Sequence, residues 1–337
     1  MQKIKKIAKL VFKFFLTLFS LATVLIIFFN IPVWNENTEA KLGVTFSMRY
    51  ATDIGLNWRE AYLATMDDLG IKKIRIPVYW DFVSPKEGEY DFADLDWQLS
   101  EAEKRQAEII LVVGQKVPRW PECFIPEHLK ADDAKRKTEL LKFISIVVER
   151  YKNNSAVKYW QVENEPFLKF GECPELDVSL LDQEIALVRA TDPTHKVIIT
   201  DSGELSLWTR AEKRADIFGT TMYRTIYSSK YGFYTYPIGP RFFQFKYWMN
   251  RFLVGQKNAI VIELQAEPWI AGWTTNQPLE KQFESMNANR LQENVSFARQ
   301  VGFPEIYLWG VEWWYWLKTT QNHPELWDTA KIMFNND

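Results

Sequence analysis

From residue 41 onward the chain repeats one pattern: a short apolar run of strand length, then a stretch with apolar residues at helical spacing. The runs fall at 41–46, 71–76, 109–113, 157–162, 197–200, 217–223, 258–262 and 306–309. Helical stretches separate them. Asn57 is placed to cap the first, with Glu60 three residues on and Gly70 as its stop. Residues 95–106, 177–190, 208–215 and 239–254 read as further helices, and in 132–154 Leu140, Leu141, Phe143, Ile144, Val147, Val148 and Tyr151 follow a helical period. Pro278 opens a long helix closed by Gly302, and a Trp-rich loop after the eighth run leads to a last helix near 324–334. Eight β–α alternations in about 297 residues predict one α/β domain over 41–337, a (β/α)8 TIM barrel. The main competitor is an open doubly wound sheet. It lacks support because no Gly-rich phosphate turn follows the first run.

Residues 1–40 have a different character. Lys3, Lys5, Lys6, Lys9 and Lys13 precede Phe14 to Val33, a stretch interrupted only by Thr17, Ser20, Thr23 and Asn30. Twenty residues rise about 30 Å as a helix, enough to cross a bilayer. The lysines predict a cytoplasmic tip and an extracytoplasmic barrel. No small-residue cleavage site follows closely, so the segment reads as an uncleaved signal anchor with a short linker, Trp34 to Ala40. Without residues 1–34, which hold five lysines and no acid, the chain has 36 bases against 43 acids. That balance, with no basic stripe, excludes a nucleic-acid partner. The chain is read as a monomer.

Two carboxylates stand out. Val157 to Val162 runs into Glu163-Asn164-Glu165-Pro166, and Asn258 to Ile262 runs into Glu263. In a barrel both acids would lie at the C-terminal ends of strands four and seven, where such folds carry their chemistry. Cleaving a glycosidic bond by double displacement needs such a pair, one as acid/base and one as nucleophile. We assign these roles to Glu165 and Glu263. Strict alternation would put Asn164 and Glu165 on opposite faces, so strand four must bulge or break there. Glu163, Glu267 and Glu312 are rival acids: Glu163 would lie deeper, Glu267 follows its strand, and Glu312 sits among tryptophans and could bind sugar hydroxyls.

These residues resemble the clan A retaining glycoside hydrolases, and most nearly the family five cellulase-like enzymes. The resemblance places an Asn-Glu pair, here Asn164-Glu165, at the end of strand four and a nucleophilic Glu, here Glu263, at the end of strand seven. It further implies that Arg75, near the end of strand two, holds the nucleophile by a charge-assisted bond. Tyr223, or alternatively Tyr227, matches a Tyr after strand six, and Trp309 matches a sugar platform ending strand eight. The run from Tyr79-Trp80 through Gly88-Glu89-Tyr90-Asp91-Phe92 to Leu95-Asp96 resembles the segment after strand two. The likeness spans residues 41 to about 316. Histidines that family five usually presents after strands three and six have no counterpart; Gln115 and Met222-Tyr223 stand there.

The chain holds 15 tryptophans, a load that suits flat surfaces for sugar stacking as well as a core. Trp80, Trp120, Trp269, Trp273, Trp309 and Trp313 fall after strands two, three, seven and eight, on the catalytic face. Cys123 and Cys173 fall in neighbouring loops and are expected to form a disulfide at the rim. Three scattered histidines, His128, His195 and His323, and no CxxC pair give no metal site, and no cofactor is expected. The reading is thus a membrane-anchored retaining hydrolase of β-linked glycosides or polysaccharides. A non-catalytic carbohydrate-binding barrel and an envelope transglycosylase remain as alternatives.

Overall fold

The computed structural model describes residues 2–33, 36–256 and 258–335. Trp34 and Asn35 of the expected linker, and the side chain of Lys3, lie outside the described residues. The strands are β1 (Lys41–Thr45), β2 (Lys73–Pro77), β3 (Glu108–Val113), β4 (Val157–Val162), β5 (Lys196–Asp201), β6 (Ile217–Met222), β7 (Thr225–Ser228), β8 (Gly232–Thr235), β9 (Ala259–Gln265) and β10 (Glu305–Trp309). All but β7 and β8 close into one parallel barrel in the order β1-β10-β9-β6-β5-β4-β3-β2. With helices between the strands, this is a (β/α)8 TIM barrel.

Alternation along each strand sorts the side chains into two cores. Ile110, Ile198, Ile217, Ile260, Ile262 and Tyr307 fill the interior, and a larger shell packs strands against helices. Tyr307 needs room at the axis. Its partner across the ladder is Gly43, where a Cβ would stand 2.9 Å from the Tyr307 ring. Moving up the barrel, the same inward positions turn polar, giving Thr45, Arg75, Gln161, Thr200, Thr221 and Glu263. The ladder pairs Thr45 with Arg75 and Thr221 with Glu263. The register of β9 slips against both neighbours between Val261 and Glu263–Leu264. Ile262 and Glu263 therefore both face inward, which plain alternation forbids.

The elements between the barrel strands depart from the sequence reading in several places. The long helix from Pro278 is two, Leu279–Ser285 and Ala288–Val301, because Asn287 caps the second by accepting from Arg290 N (3.1 Å). The Trp-rich loop after β10 is a helix, Val311–Thr320; its spacing buries Trp313, Trp314 and Trp316 together. An antiparallel hairpin, β7–β8, rises between β6 and helix Pro240–Val254. A helix, Gln2–Phe29, precedes the barrel and lies exposed along its described length.

Candidate active site

β4 ends at Val162, and the backbone then leaves strand geometry: Glu163 and Glu165 take left-handed φ values of 56° and 43°. Such values are rare for side chains larger than Gly and concentrate where neighbouring structure imposes them. Here they bring both Asn164 and Glu165 toward the barrel mouth. The Glu165 N–H donates to Thr200 Oγ1 (2.8 Å), and Thr221 Oγ1 donates to Glu165 Oε1 (3.1 Å). Because Thr221 is the ladder neighbour of Glu263, the two carboxylates are brought to one spot.

Glu263 has stronger partners. Arg75 Nη1 donates to Glu263 Oε1 (2.6 Å) and Tyr223 Oη to Glu263 Oε2 (2.9 Å). Arg75 is fully buried and is itself fixed on three sides: Nε donates to Gln161 Oε1 (2.8 Å) and Nη2 to Asn164 Oδ1 (2.7 Å). Asn164 thus bridges the two acids' surroundings, and its Nδ2 donates to Glu122 Oε2 (3.1 Å). Burial, then the charges of Glu263 and Glu122, push the Glu165 carboxyl well above its ordinary range. Burial and Glu263 likewise raise Glu122 to about 8.

Glu165, Glu263 and Glu122 open on one cavity of about 400 Å³, lined also by Trp120, Phe170, Tyr223, Trp269, Trp273 and Trp309. Aromatic rings form a chain down its wall, Trp120 to Phe170 (6.0 Å between ring centres), Phe170 to Trp269 (5.9 Å) and Trp269 to Tyr223 (4.9 Å). Trp309 donates from Nε1 to Glu267 Oε1 (2.7 Å), with the Arg119 guanidinium 4.1 Å from its ring centre. Cys123 and Cys173 are joined by a disulfide, Cα atoms 5.2 Å apart, tying the loop after β3 to the loop after β4.

Some sequence candidates lie elsewhere. Trp80 begins a short helix, Trp80–Val83, that turns it into the core; it is 1% exposed and stacks on Phe143. Trp313 is buried with its Nε1 on Gln282 Oε1 (2.7 Å). Tyr227 packs on Phe233 within the hairpin. The rival acids have other partners: Glu163 accepts from the N–H groups of Gln115 and Lys116 (2.8 and 2.7 Å), bracing the loop after β3. Glu312 is fully buried and accepts from Arg119 Nη2 (2.7 Å), so sugar hydroxyls cannot reach it. Glu267 does line the cavity; Arg119 holds one of its oxygens, and the other has no partner among the described residues.

Arg119 and Glu122 had no place in the sequence reading. Both sit in the segment Arg119-Trp120-Pro121-Glu122, with left-handed φ at Arg119 and Glu122. The signal was an acid and an arginine flanking a Trp-Pro pair beside the rim cysteine, but a loop's path is not readable from periodicity. Among the described residues no cluster of His, Cys, Asp and Glu could hold a metal ion.

A closed parallel barrel with paired acids and an aromatic wall at its C-terminal mouth is the architecture of a TIM-barrel glycoside hydrolase. The chain belongs to glycosyl hydrolase family 5: the family's Cellulase model matches residues 42–217. The chain is similar over 119 residues, at 28% identity, to the β-galactosidase BgaA of Clostridium cellulovorans; the match spans 30% of this chain and 18% of that protein. Among solved structures, a GH10 endoxylanase from a sugarcane soil metagenome superposes with a TM-score of 0.59 at 12% identity, covering 87% of this chain and 97% of that one. A β-galactosidase from the psychrophilic Marinomonas ef1 gives 0.58 at 14% identity, covering 88% and 59%. The chain spans less than two thirds of the length of both β-galactosidases it matches.

Proposed function

We propose that the protein cleaves β-linked glycosides or polysaccharides with retention of configuration, Glu263 acting as nucleophile and Glu165 as acid/base. The observation that carries this is the unequal setting of two acids on one cavity. Arg75 and Tyr223 each donate to Glu263 and orient it for attack on the anomeric carbon. Glu165, raised by burial and by the charge of Glu263, keeps its proton for the leaving oxygen. After the glycosyl–Glu263 ester forms and the leaving group departs, Glu165 takes a proton from water as it attacks the same carbon. Trp269 and Trp309, on the cavity wall, stack the ring.

The test is a panel of β-galactosides, β-xylan, β-mannan and β-glucan, with the product anomer followed by NMR during hydrolysis. First appearance of the β-anomer supports the mechanism; the α-anomer first means inversion and refutes it. Added sugar acceptors separate hydrolysis from transfer.

The same reading places the enzyme at a membrane. Helix Lys5–Phe29 has 25 residues and a mean hydropathy of 2.4 over its most apolar stretch, and spans about 37 Å at 1.5 Å per residue. We infer that it crosses the bilayer with the barrel outside. Protease added to intact cells then degrades the barrel; protection of the barrel refutes that orientation.

A further inference from the structure

An outer helix of a barrel ordinarily turns apolar residues to the strands and charges to water. The inner side of helix Pro240–Val254 buries Pro240 and Phe243 together with Lys246 and Asn250. Its other side breaks the pattern. Phe245, Trp248 and Phe252 recur at helical spacing on one face, with Trp248 64% and Phe252 81% exposed, and Leu253 lies exposed beside them. Phe245 leans on Trp248 (6.3 Å between ring centres), and Trp248 stacks on Phe252 (6.5 Å). The outer side of helix Asp133–Tyr151 instead carries Lys–Glu pairs such as Lys142–Glu139 and Lys152–Glu149. A contiguous apolar stripe marks a surface that meets something other than water.

The N-terminal helix identifies the occupant. Its last residue, Phe29, packs on Phe242 (5.4 Å between ring centres) and on Phe245 (5.8 Å), the first member of the stripe. Polar bonds fix this junction: Asn30 Nδ2 donates to Pro237 O (3.0 Å), and Arg241 Nε donates to Ile31 O (3.0 Å). The apolar span therefore ends against the start of the stripe. From Phe245 to Phe252 the stripe runs only about 10 Å further along the helix. Exposed Trp and Phe at that distance from a span's exit lie where aromatic side chains favour the headgroup layer. The hairpin before this helix carries exposed Tyr231 at its turn, while its Ile226 and the following Tyr236 line the active-site cavity.

We propose that helix Pro240–Val254 is a membrane-docking face. Trp248, Phe252 and Leu253 seat in the headgroup region of the bilayer that residues 5–29 cross, so the hairpin wall of the active site is held beside the membrane. The proposal rests on the reading of residues 5–29 as a span. Since Cys123 and Cys173 are bonded to each other, one introduced cysteine labels a single site in the full-length chain. Phe252→Cys, Lys142→Cys on the far helix and Leu18→Cys within the span are each labelled with a fluorophore. The labelled chains are reconstituted in phosphatidylethanolamine–phosphatidylglycerol vesicles carrying a nitroxide near the headgroup.

The expected result is quenching at Leu18 and at Phe252 several-fold above that at Lys142, with Phe252 also shielded from aqueous iodide. Quenching at Leu18 with Phe252 no different from Lys142 overturns the docking face and leaves the span intact. No quenching at Leu18 overturns both. Shielding of Phe252 from iodide without lipid quenching, growing with protein-to-lipid ratio, assigns the face to a second copy of the chain and also overturns the proposal.

Discussion

Glu165 and Glu263 share one cavity yet are built in opposite ways. Glu263 stands within a strand, at its register slip, in a fully buried bond to Arg75, with Tyr223 on its second oxygen. Glu165 stands just past a strand's end on left-handed backbone, its carboxyl met by the Thr221 hydroxyl. Among the described residues no ion pair includes it. One acid is tied to a cation and the other is raised by burial. The difference teaches that the unequal settings come from neighbours on β2, β6 and the loop after β3, not from anything in the two glutamates, and the proposed division of labour rests on them.

The largest expected effect tests that division directly. Glu263→Gln abolishes turnover on every substrate, with kcat/KM falling by at least roughly four orders of magnitude, because no covalent intermediate can form. Glu165→Ala differs in kind. Against poor leaving groups the loss is about 10²- to 10⁴-fold. Activated aryl glycosides keep much of their first step, and azide rescues the second as a β-glycosyl azide. If both variants fail equally on activated substrates, without rescue, the two acids are not divided as described.

Arg75→Lys sharpens the comparison from the other side. It keeps the charge but cannot hold Glu263, Gln161 and Asn164 together, so kcat falls by about 10²- to 10³-fold. Circular dichroism and denaturant unfolding separate this from lost folding, since weakening a buried pair also costs stability. The pH profile comes next. Glu165 is raised, so its acid form persists at low pH and is lost as pH rises through that raised value, producing a basic limb in kcat/KM. Glu122, raised to about 8, is a second candidate for the limb. Glu165→Gln removes the limb, measured on an activated substrate, whereas Glu122→Gln leaves it; the reverse outcome assigns the limb to Glu122.

The smallest effects on catalysis separate two tryptophans. Trp269→Ala raises KM by about threefold to tenfold through lost stacking, with little change in stability. Trp80→Ala leaves kcat/KM near the parent value but costs about 3–5 kcal/mol in unfolding, because it empties a core site.

Much of this was legible in one dimension. Apolar runs of strand length give a barrel because a parallel strand buried on both faces has to be apolar throughout, and only repeated crossover helices can supply the next one. The same grammar exposes its exceptions: Arg75 and Glu263 interrupt runs that should be uniformly apolar, and Asn164-Glu165 ends one. Local rules also served for Asn57, whose side chain does cap the helix that follows, accepting from the N–H groups of Arg59 and Glu60. What failed was whatever depends on a chain's path after it leaves an element. Trp80 and Trp269 read alike as residues after strands, but a short helix buries one and an open loop presents the other. Glu312 read as a sugar ligand until its loop proved to be a helix that carries it beneath the site.

The sequence by itself determined the number of barrel strands, the place of Arg75 and Glu263 near the ends of two of them, and the apolar character of the first helix, because each follows from spacing along a single segment. Tertiary structure alone decided that Glu122 and Arg119 enter the site, that β9 slips so Glu263 faces inward, and that the first helix ends on the aromatic helix. Those are meetings between segments up to some two hundred residues apart, fixed by barrel closure and by loops whose backbone has no period to read.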